Sequence, residues 1–164
     1  MAFFSKLFNK TSLPQNALFA PCQGRVVPLS QVPDPTFAEG MLGDGVAIIP
    51  SCGKVYAPCD GKVDTMFETG HAVSLVSDSG AEVLIHVGLE TVGLNGGPFK
   101  VHCSSGDKVK KGQLLLEADL DAIRAAGLEI ITPLVVCNAD AYSSIHKTTD
   151  ADVTNEDVVI TLDK

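Results

Sequence analysis

The sequence predicts an all-β fold, an antiparallel β-sandwich or flattened barrel built from a duplicated β unit, with one or two short helices. Three observations lead there. Fifteen Gly and nine Pro in 164 residues break the chain too often for long helices. Between these breaks lie short runs rich in Val, Ile and Leu, the pattern of buried strands. Finally, Ala20-Pro21-Cys22-Gln23-Gly24-Arg25-Val26 is echoed by Ala57-Pro58-Cys59-Asp60-Gly61-Lys62-Val63. Each copy supplies a proline-led entry, a Gly and then a strand. Two copies are too few for a solenoid, so they imply two similar units packed together.

The elements follow in order. Residues 1–10, MAFFSKLFNK, place Phe3, Phe4, Leu7 and Phe8 on one side of a helical pattern and Ser5, Lys6, Asn9 and Lys10 on the other. Such a segment can lie on anionic lipid. The polar TSLPQN follows, so residues 1–17 read as a tail and 18–164 as one folded domain, long enough to bury a sizeable core. Besides the strands that follow Gly24 and Gly61, strands are expected at 45–50, 54–57, 65–68, 72–76, 82–87, 99–101, 113–117, 130–136 and 157–162. Residues 105–112, SGDKVKKG, read as a polar turn unit. One helix is expected: Asp119 caps it, Leu120, Ile123 and Arg124 keep helical spacing, and Gly127 closes it.

Composition narrows the function. A hydrophobic fraction of 45% with only 5% aromatic and no Trp favours a core of aliphatic and β-branched side chains. The net charge of −8 argues against nucleic acid and favours a partner with a basic patch. Five cysteines, Cys22, Cys52, Cys59, Cys103 and Cys137, form no Cys-x-x-Cys pair, and no signal peptide precedes them. They read as reduced thiols of a cytoplasmic protein. No apolar run is long enough to span a membrane.

The chemistry concentrates in residues 69–95, TGHAVSLVSDSGAEVLIHVGLETVGLN. Two apolar runs flank Ser77-Asp78-Ser79-Gly80, so the stretch reads as a hairpin. A turn centred between Asp78 and Ser79 sets His71 directly opposite His86, with Cβ atoms roughly 5 Å apart. A three-residue turn would shift that register by one. A neutral imidazole nitrogen can attack phosphorus, ligate a metal or take up a proton. A second imidazole can donate to phosphoryl oxygens or serve as a second ligand. Thr69 and Glu90 lie close enough in sequence to orient a ring. His102 and His146 stand apart from this pair in polar surroundings and read as surface residues. A zinc hydrolase needs a third protein ligand and a general base, which the sequence does not place here. Zinc held by His71 and His86 with a carboxylate from a partner fits the residues, although none is required. No Gly-rich phosphate loop points to a nucleotide.

Gly80, Val83-Leu84-Ile85 and His86-Val87-Gly88-Leu89-Glu90-Thr91-Val92 together resemble the active-site signature of the glucose-type IIA proteins of the bacterial sugar phosphotransferase system. Val32-Pro33-Asp34 with Phe37-Ala38-Glu39, Gly43-Asp44-Gly45-Val46-Ala47-Ile48, Phe67-Glu68-Thr69-Gly70-His71-Ala72 and Thr132-Pro133-Leu134-Val135 match the same family in order. The resemblance covers roughly residues 18–162, and the tail is similar to that of the stand-alone member.

It implies a phosphoryl carrier, a transferase component rather than a stand-alone catalyst. Such a carrier accepts the group from the phosphohistidine of HPr and donates it to a cysteine of a permease IIB domain. By the same resemblance His86 is the phosphorylated residue, through Nε2, and His71 the donor to the phosphoryl group, with Thr69 orienting it. Phe37, Phe67 and Val87 fall at apolar positions around the site, and Asp34 and Glu90 on an acidic rim that faces a basic carrier. Glu90 stands where Asp is common, and Val87 where Phe is familiar, which thins the apolar collar. The stand-alone member also regulates glycerol kinase, adenylate cyclase and permeases outside the system. Two other classes compete: a lysostaphin-like zinc hydrolase, and a lipoyl- or biotin-carrier domain. The latter needs a lysine at the hairpin tip, where this chain has Asp78-Ser79-Gly80.

Overall fold

A computed structural model describes residues 16–164. The tail expected over residues 1–17 therefore lies almost wholly outside the described residues, and Ala17 already opens the first strand. In chain order the strands are β1 (Ala17–Phe19), β2 (Gly24–Pro28), β3 (Asp44–Pro50), β4 (Lys54–Tyr56), β5 (Gly61–Met66), β6 (Ala72–Ser77) and β7 (Glu82–His86). There follow β8 (Phe99–Val101), β9 (Lys108–Val109), β10 (Leu114–Ala118), β11 (Thr132–Val136), β12 (Ser144–Lys147), β13 (Ala151–Val153) and β14 (Val158–Asp163). They form an eight-stranded sheet, β13-β2-β3-β11-β7-β6-β5-β9, and two three-stranded sheets, β1-β14-β12 and β4-β10-β8. Every pairing is antiparallel. The α-helices among the described residues are two short ones, Pro35–Ala38 and Leu120–Ala125. No helix among them is long and apolar enough to cross a membrane.

Around β3 and β11 the large sheet is covered on both faces, which explains why these strands read as continuous apolar runs. Side chains alternate along each strand. Val26, Val46, Ile48, Val83, Ile85, Leu134 and Val136 point into the main core. Their neighbours Val27, Ala47 and Val135, with Leu84 packed against them, form a second core on the opposite face. There the segment carrying Leu29, Val32 and Phe37 covers them. This second face leads to the histidines.

The repeat is a structural duplication. Phe19 N–H donates to Pro58 O at 2.9 Å, and Tyr56 N–H donates to Pro21 O at 2.7 Å, a reciprocal pair between equivalent positions of the two units. Gly24 and Gly61 occupy matching places, where an added Cβ would collide with the carbonyl oxygens of Ile49 and Val76 respectively. Their outer neighbours also match, since Gly24 pairs with Val153 and Gly61 with Val109.

Four strands escaped the sequence reading: β1, β9, β12 and β13. Each is short and most include polar residues, so no period-2 signal accumulates. The expected turn unit at 105–112 in fact contains β9, and its Val109 is buried against the main core. The helix meets its expectation: Asp119 accepts from Ala122 N–H at 3.0 Å, and Gly127 is left-handed at φ +82°. All five cysteines are free thiols, three buried and two exposed.

The hairpin register differs from the one that would set the histidines opposite each other. His86 pairs with Ala72, and Leu75 with Val83. Ser77 N–H reaches Ala81 O at 2.9 Å, and Gly80 takes φ +97°, so three residues, Asp78 to Gly80, make the turn. The odd loop shifts the ladder by one residue.

Gly24→Ala and Gly61→Ala should each destabilise the protein by about 1–3 kcal/mol or more in urea unfolding, because backbone must move to admit a methyl group. Gly80→Ala has open space around it. It should cost only about 1 kcal/mol, the left-handed penalty. Equal effects at the three positions would contradict this packing.

Candidate functional site

His86 ends β7 on the second face, two residues beyond Leu84. The Phe37 ring lies beneath it, centroids 5.2 Å apart and planes tilted 58°. Phe37 is held there by the helix Pro35–Ala38, capped by Asp34, whose carboxylate accepts from Thr36 N–H at 3.0 Å. Burial of Phe37 in the second core and this cap together place a flat apolar floor under the imidazole.

His71 arrives by another route. With His86 opposite Ala72, strict alternation would turn His71 to the other face. It precedes the regular strand, however, and follows a turn in which Gly70 N–H bonds Phe67 O at 2.8 Å with Gly70 at φ +73°. That turn swings the imidazole back. The rings of His71 and His86 lie 5.0 Å apart at 80°, edge to face. Phe67 meets His71 at 5.4 Å. Gly70 has no room for a side chain, since a Cβ would stand 2.8 Å from that of Phe99.

Hydrogen bonds define the nitrogens. His86 Nδ1 lies 2.7 Å from Gly88 O. A carbonyl only accepts, so Nδ1 carries the proton and Nε2 keeps a free lone pair. On His71, Nδ1 is bonded to Thr69 Oγ1. When the hydroxyl donates, the proton of His71 sits on Nε2. Burial lowers the pKa of both rings, and the neighbouring His86 lowers that of His71 further. For His86 the Gly88 bond and the charges of Asp34 and Glu90 act in the opposite sense, and burial outweighs them. Both rings are therefore neutral at neutral pH. The site offers one nucleophilic nitrogen beside a second imidazole.

The chain matches the family model described as phosphoenolpyruvate-dependent sugar phosphotransferase system, EIIA 1, over residues 16–142. It belongs to this family. A beta-glucoside-specific EIIBCA component from Dickeya chrysanthemi is 48% identical over 137 residues, 84% of this chain and 22% of that protein. A glucose-specific EIICBA component from Staphylococcus saprophyticus is 47% identical over 144 residues, 87% of this chain and 21% of that protein. The chain thus spans about a fifth of the length of these two relatives. The solved glucose permease IIA from Mycoplasma capricolum aligns with a TM-score of 0.80 at 34% identity, over 88% of this chain and 93% of that one. The glucose-type IIA fold, all-β and antiparallel, is the fold of this chain. Neither competing class finds support.

The structure distributes the remaining residues unevenly around this IIA site. Thr69, His71, His86, Phe37 and Phe67 come together. Asp34 and Glu90 lie near enough to act on His86 electrostatically. Glu90 is exposed and left-handed at φ +63°, a conformation unfavourable for a residue other than Gly, Asn or Asp. Val87 departs from expectation: it is 1% exposed and belongs to the main core, so its side chain faces no partner. Phe37, at 4% exposure, is floor rather than contact surface, whereas Phe67 stands 38% exposed at the rim. His102 and His146 are exposed but not isolated, since they bond Glu117 at 2.7 Å and Asp163 at 2.6 Å. Among the described residues no three His, Cys, Asp or Glu side chains converge as a metal site.

Sequence reasoning missed Gly88, whose carbonyl selects the tautomer of His86. Its signal was a glycine two residues past a strand-end histidine. Gly88 takes φ +74°, and a Cβ there would stand 2.7 Å from Glu129 O and 2.8 Å from Thr91 Cγ2. Gly88→Ala should therefore cost about 2–3 kcal/mol in stability, from left-handed strain plus overpacking, and disturb the Nδ1 bond. A variant as stable as the parent would contradict the placement.

The lowered pKa values also set a pH dependence. A histidine held neutral by burial adds stability that is fully present above the unfolded value, about 6.5. That stability is lost as pH falls through this value toward the lower folded one. Chemical unfolding between about pH 7.5 and 5 should show the parent losing more stability than the His71→Gln/His86→Gln double variant. Equal losses would mean that the rings are not held neutral.

Proposed function

We propose that this IIA chain is a phosphoryl carrier that bears the group on Nε2 of His86. The observation that carries the reading is the Nδ1 bond to Gly88 O at 2.7 Å, which leaves Nε2 as the only nucleophilic nitrogen of that ring. The lone pair of Nε2 attacks the phosphorus of an incoming phosphohistidine, which in this system is that of HPr. A new P–N bond forms as the donor's P–N bond breaks, and the donor nitrogen leaves with the electron pair. Onward transfer reverses the roles, with the thiolate of a IIB cysteine as nucleophile. Two relatives carry names that combine B, C and A components, which favours a permease IIB domain as acceptor.

Transfer of this kind proceeds through a loose transition state in which positioning and charge stabilisation dominate. His71, oriented by the Thr69 hydroxyl, presents Nε2–H to a phosphoryl oxygen. Phe37 and Phe67 exclude water on two sides, and Asp34 and Glu90 give the rim a negative charge suited to a basic carrier surface. Phosphorylation replaces an apolar, nearly neutral centre by a dianion. Regulatory partners such as glycerol kinase, adenylate cyclase or other permeases could distinguish the two states on this face. Zinc would take the Nε2 lone pair of His86 and, with the His71 proton moved to Nδ1 and donated to Thr69 Oγ1, that of His71, a partner carboxylate giving a third of its four ligands. The amphipathic tail would hold this cytoplasmic carrier near a permease at the membrane.

Incubation with phosphorylated HPr, read by intact mass, tests the assignment. The parent should gain one phosphoryl group and His86→Gln none, while circular dichroism shows both folded. A phosphorylated His86→Gln protein would overturn it. His71→Gln should still accept the group but hand it to a IIB domain about 10²–10³-fold more slowly, the usual loss for one transition-state donor. Quench-flow rates equal to those of the parent would reduce His71 to a neighbour.

A further inference from the structure

The carbonyl that selects the tautomer of His86 belongs to an irregular loop, and something must hold that loop. Burial, the sheet and one hydroxyl share the task. Val87 N–H donates to His71 O at 2.7 Å, and Leu89 N–H donates to Glu129 O at 3.1 Å. Between these anchors the Val87 carbonyl has left the ladder. Its partner is Thr91, whose hydroxyl donates at 2.6 Å from a fully buried position, 0% exposed. Solvent does not reach this side chain. The methyl of the same side chain packs where a Gly88 side chain would be.

We infer that Thr91 is a positioning residue for the nucleophile: its hydroxyl fixes the Val87–Gly88 peptide, so that the Gly88 carbonyl meets His86 Nδ1 and Nε2 stays unprotonated. Thr91 touches neither imidazole and acts through two backbone groups. The chain of contacts is Thr91 Oγ1 to Val87 O, then one residue of backbone, then Gly88 O to His86 Nδ1 at 2.7 Å. Without the hydroxyl, a buried carbonyl is left unpaired at a cost, and the Gly88 carbonyl is then held in place only from its far side, by the Leu89 N–H bond to Glu129 O at 3.1 Å. The inference rests on the carrier reading only for its kinetic consequence. The tautomer itself is a property of the free protein.

The test therefore reads both. Long-range ¹H–¹⁵N correlation spectra of the neutral ring at about pH 8, well above the ordinary histidine pKa, report which His86 nitrogen holds the proton. The parent and Thr91→Ser, which keeps the hydroxyl, should show Nδ1–H. Thr91→Val, nearly isosteric, should raise the share of Nε2–H roughly tenfold, the effect of one net hydrogen bond. Phosphoryl acceptance from phosphorylated HPr should fall in proportion to the Nδ1–H form that is lost, and Thr91→Ser should stay within about twofold of the parent on the same scale. Should Thr91→Val fail to fold, Thr91→Ala removes the hydroxyl without introducing a second methyl. An Nε2–H share unchanged from the parent in the folded variant lacking the hydroxyl would overturn the inference. Absence of phosphoryl acceptance in the parent, with the tautomer responding as expected, would instead overturn the carrier reading alone.

Discussion

One hydrogen bond organises the site: His86 Nδ1–H to the carbonyl of Gly88. An imidazole has two nitrogens of nearly equal basicity, and a side chain free to exchange its proton presents each as nucleophile only part of the time. A fixed acceptor two residues downstream removes that ambiguity. The backbone must turn sharply to bring a carbonyl back on the ring of the residue before last. Gly88 can do so because φ +74° costs a glycine little and because there is no space for a Cβ. The free lone pair is thus set on Nε2 by main-chain geometry at the end of a central strand, where β7 is held between β11 and β6.

The rest of the fold serves that strand end. One face of β7 is buried in the main core, and on the other the second core carries Phe37 against His86. The same burial lowers both histidine pKa values, so the packing that stabilises the fold also favours the neutral form of both rings. Asp34 and Glu90 act against this electrostatically. The duplication explains the architecture but not the site. The reciprocal bonds of Phe19 and Tyr56 join the units, while the histidines belong to the β6–β7 hairpin on one side only.

Much of this was legible in the sequence, for identifiable reasons. Strands bounded by Gly and Pro announced themselves wherever apolar residues ran continuously, as in β3, β7 and β11. Asp119 and Gly127 marked a helix because capping chemistry is local. The two histidines were noticed together because a turn lay midway between them. The reason they meet was not legible. The ladder pairs His86 with Ala72, and the rings approach only because the turn at Gly70 redirects His71. Local turn geometry of that kind leaves no periodic trace. The burial of Val87 was hidden for a similar reason, since the chain leaves the strand at that residue and alternation no longer says which way it points. The roles of Gly88 and Thr91 depend on backbone carbonyls, which every residue possesses and no sequence pattern displays.

Phosphorus–nitrogen coupling in the ¹⁵N-histidine-labelled phosphoprotein tests the central claim most directly, because it identifies the bonded nitrogen without substituting any residue. Bonding of phosphorus to Nε2 of His86, with Nδ1 still protonated and hydrogen-bonded, is the expected result. Phosphorus on Nδ1 of His86, or on either nitrogen of His71, would contradict the tautomer on which the site is built.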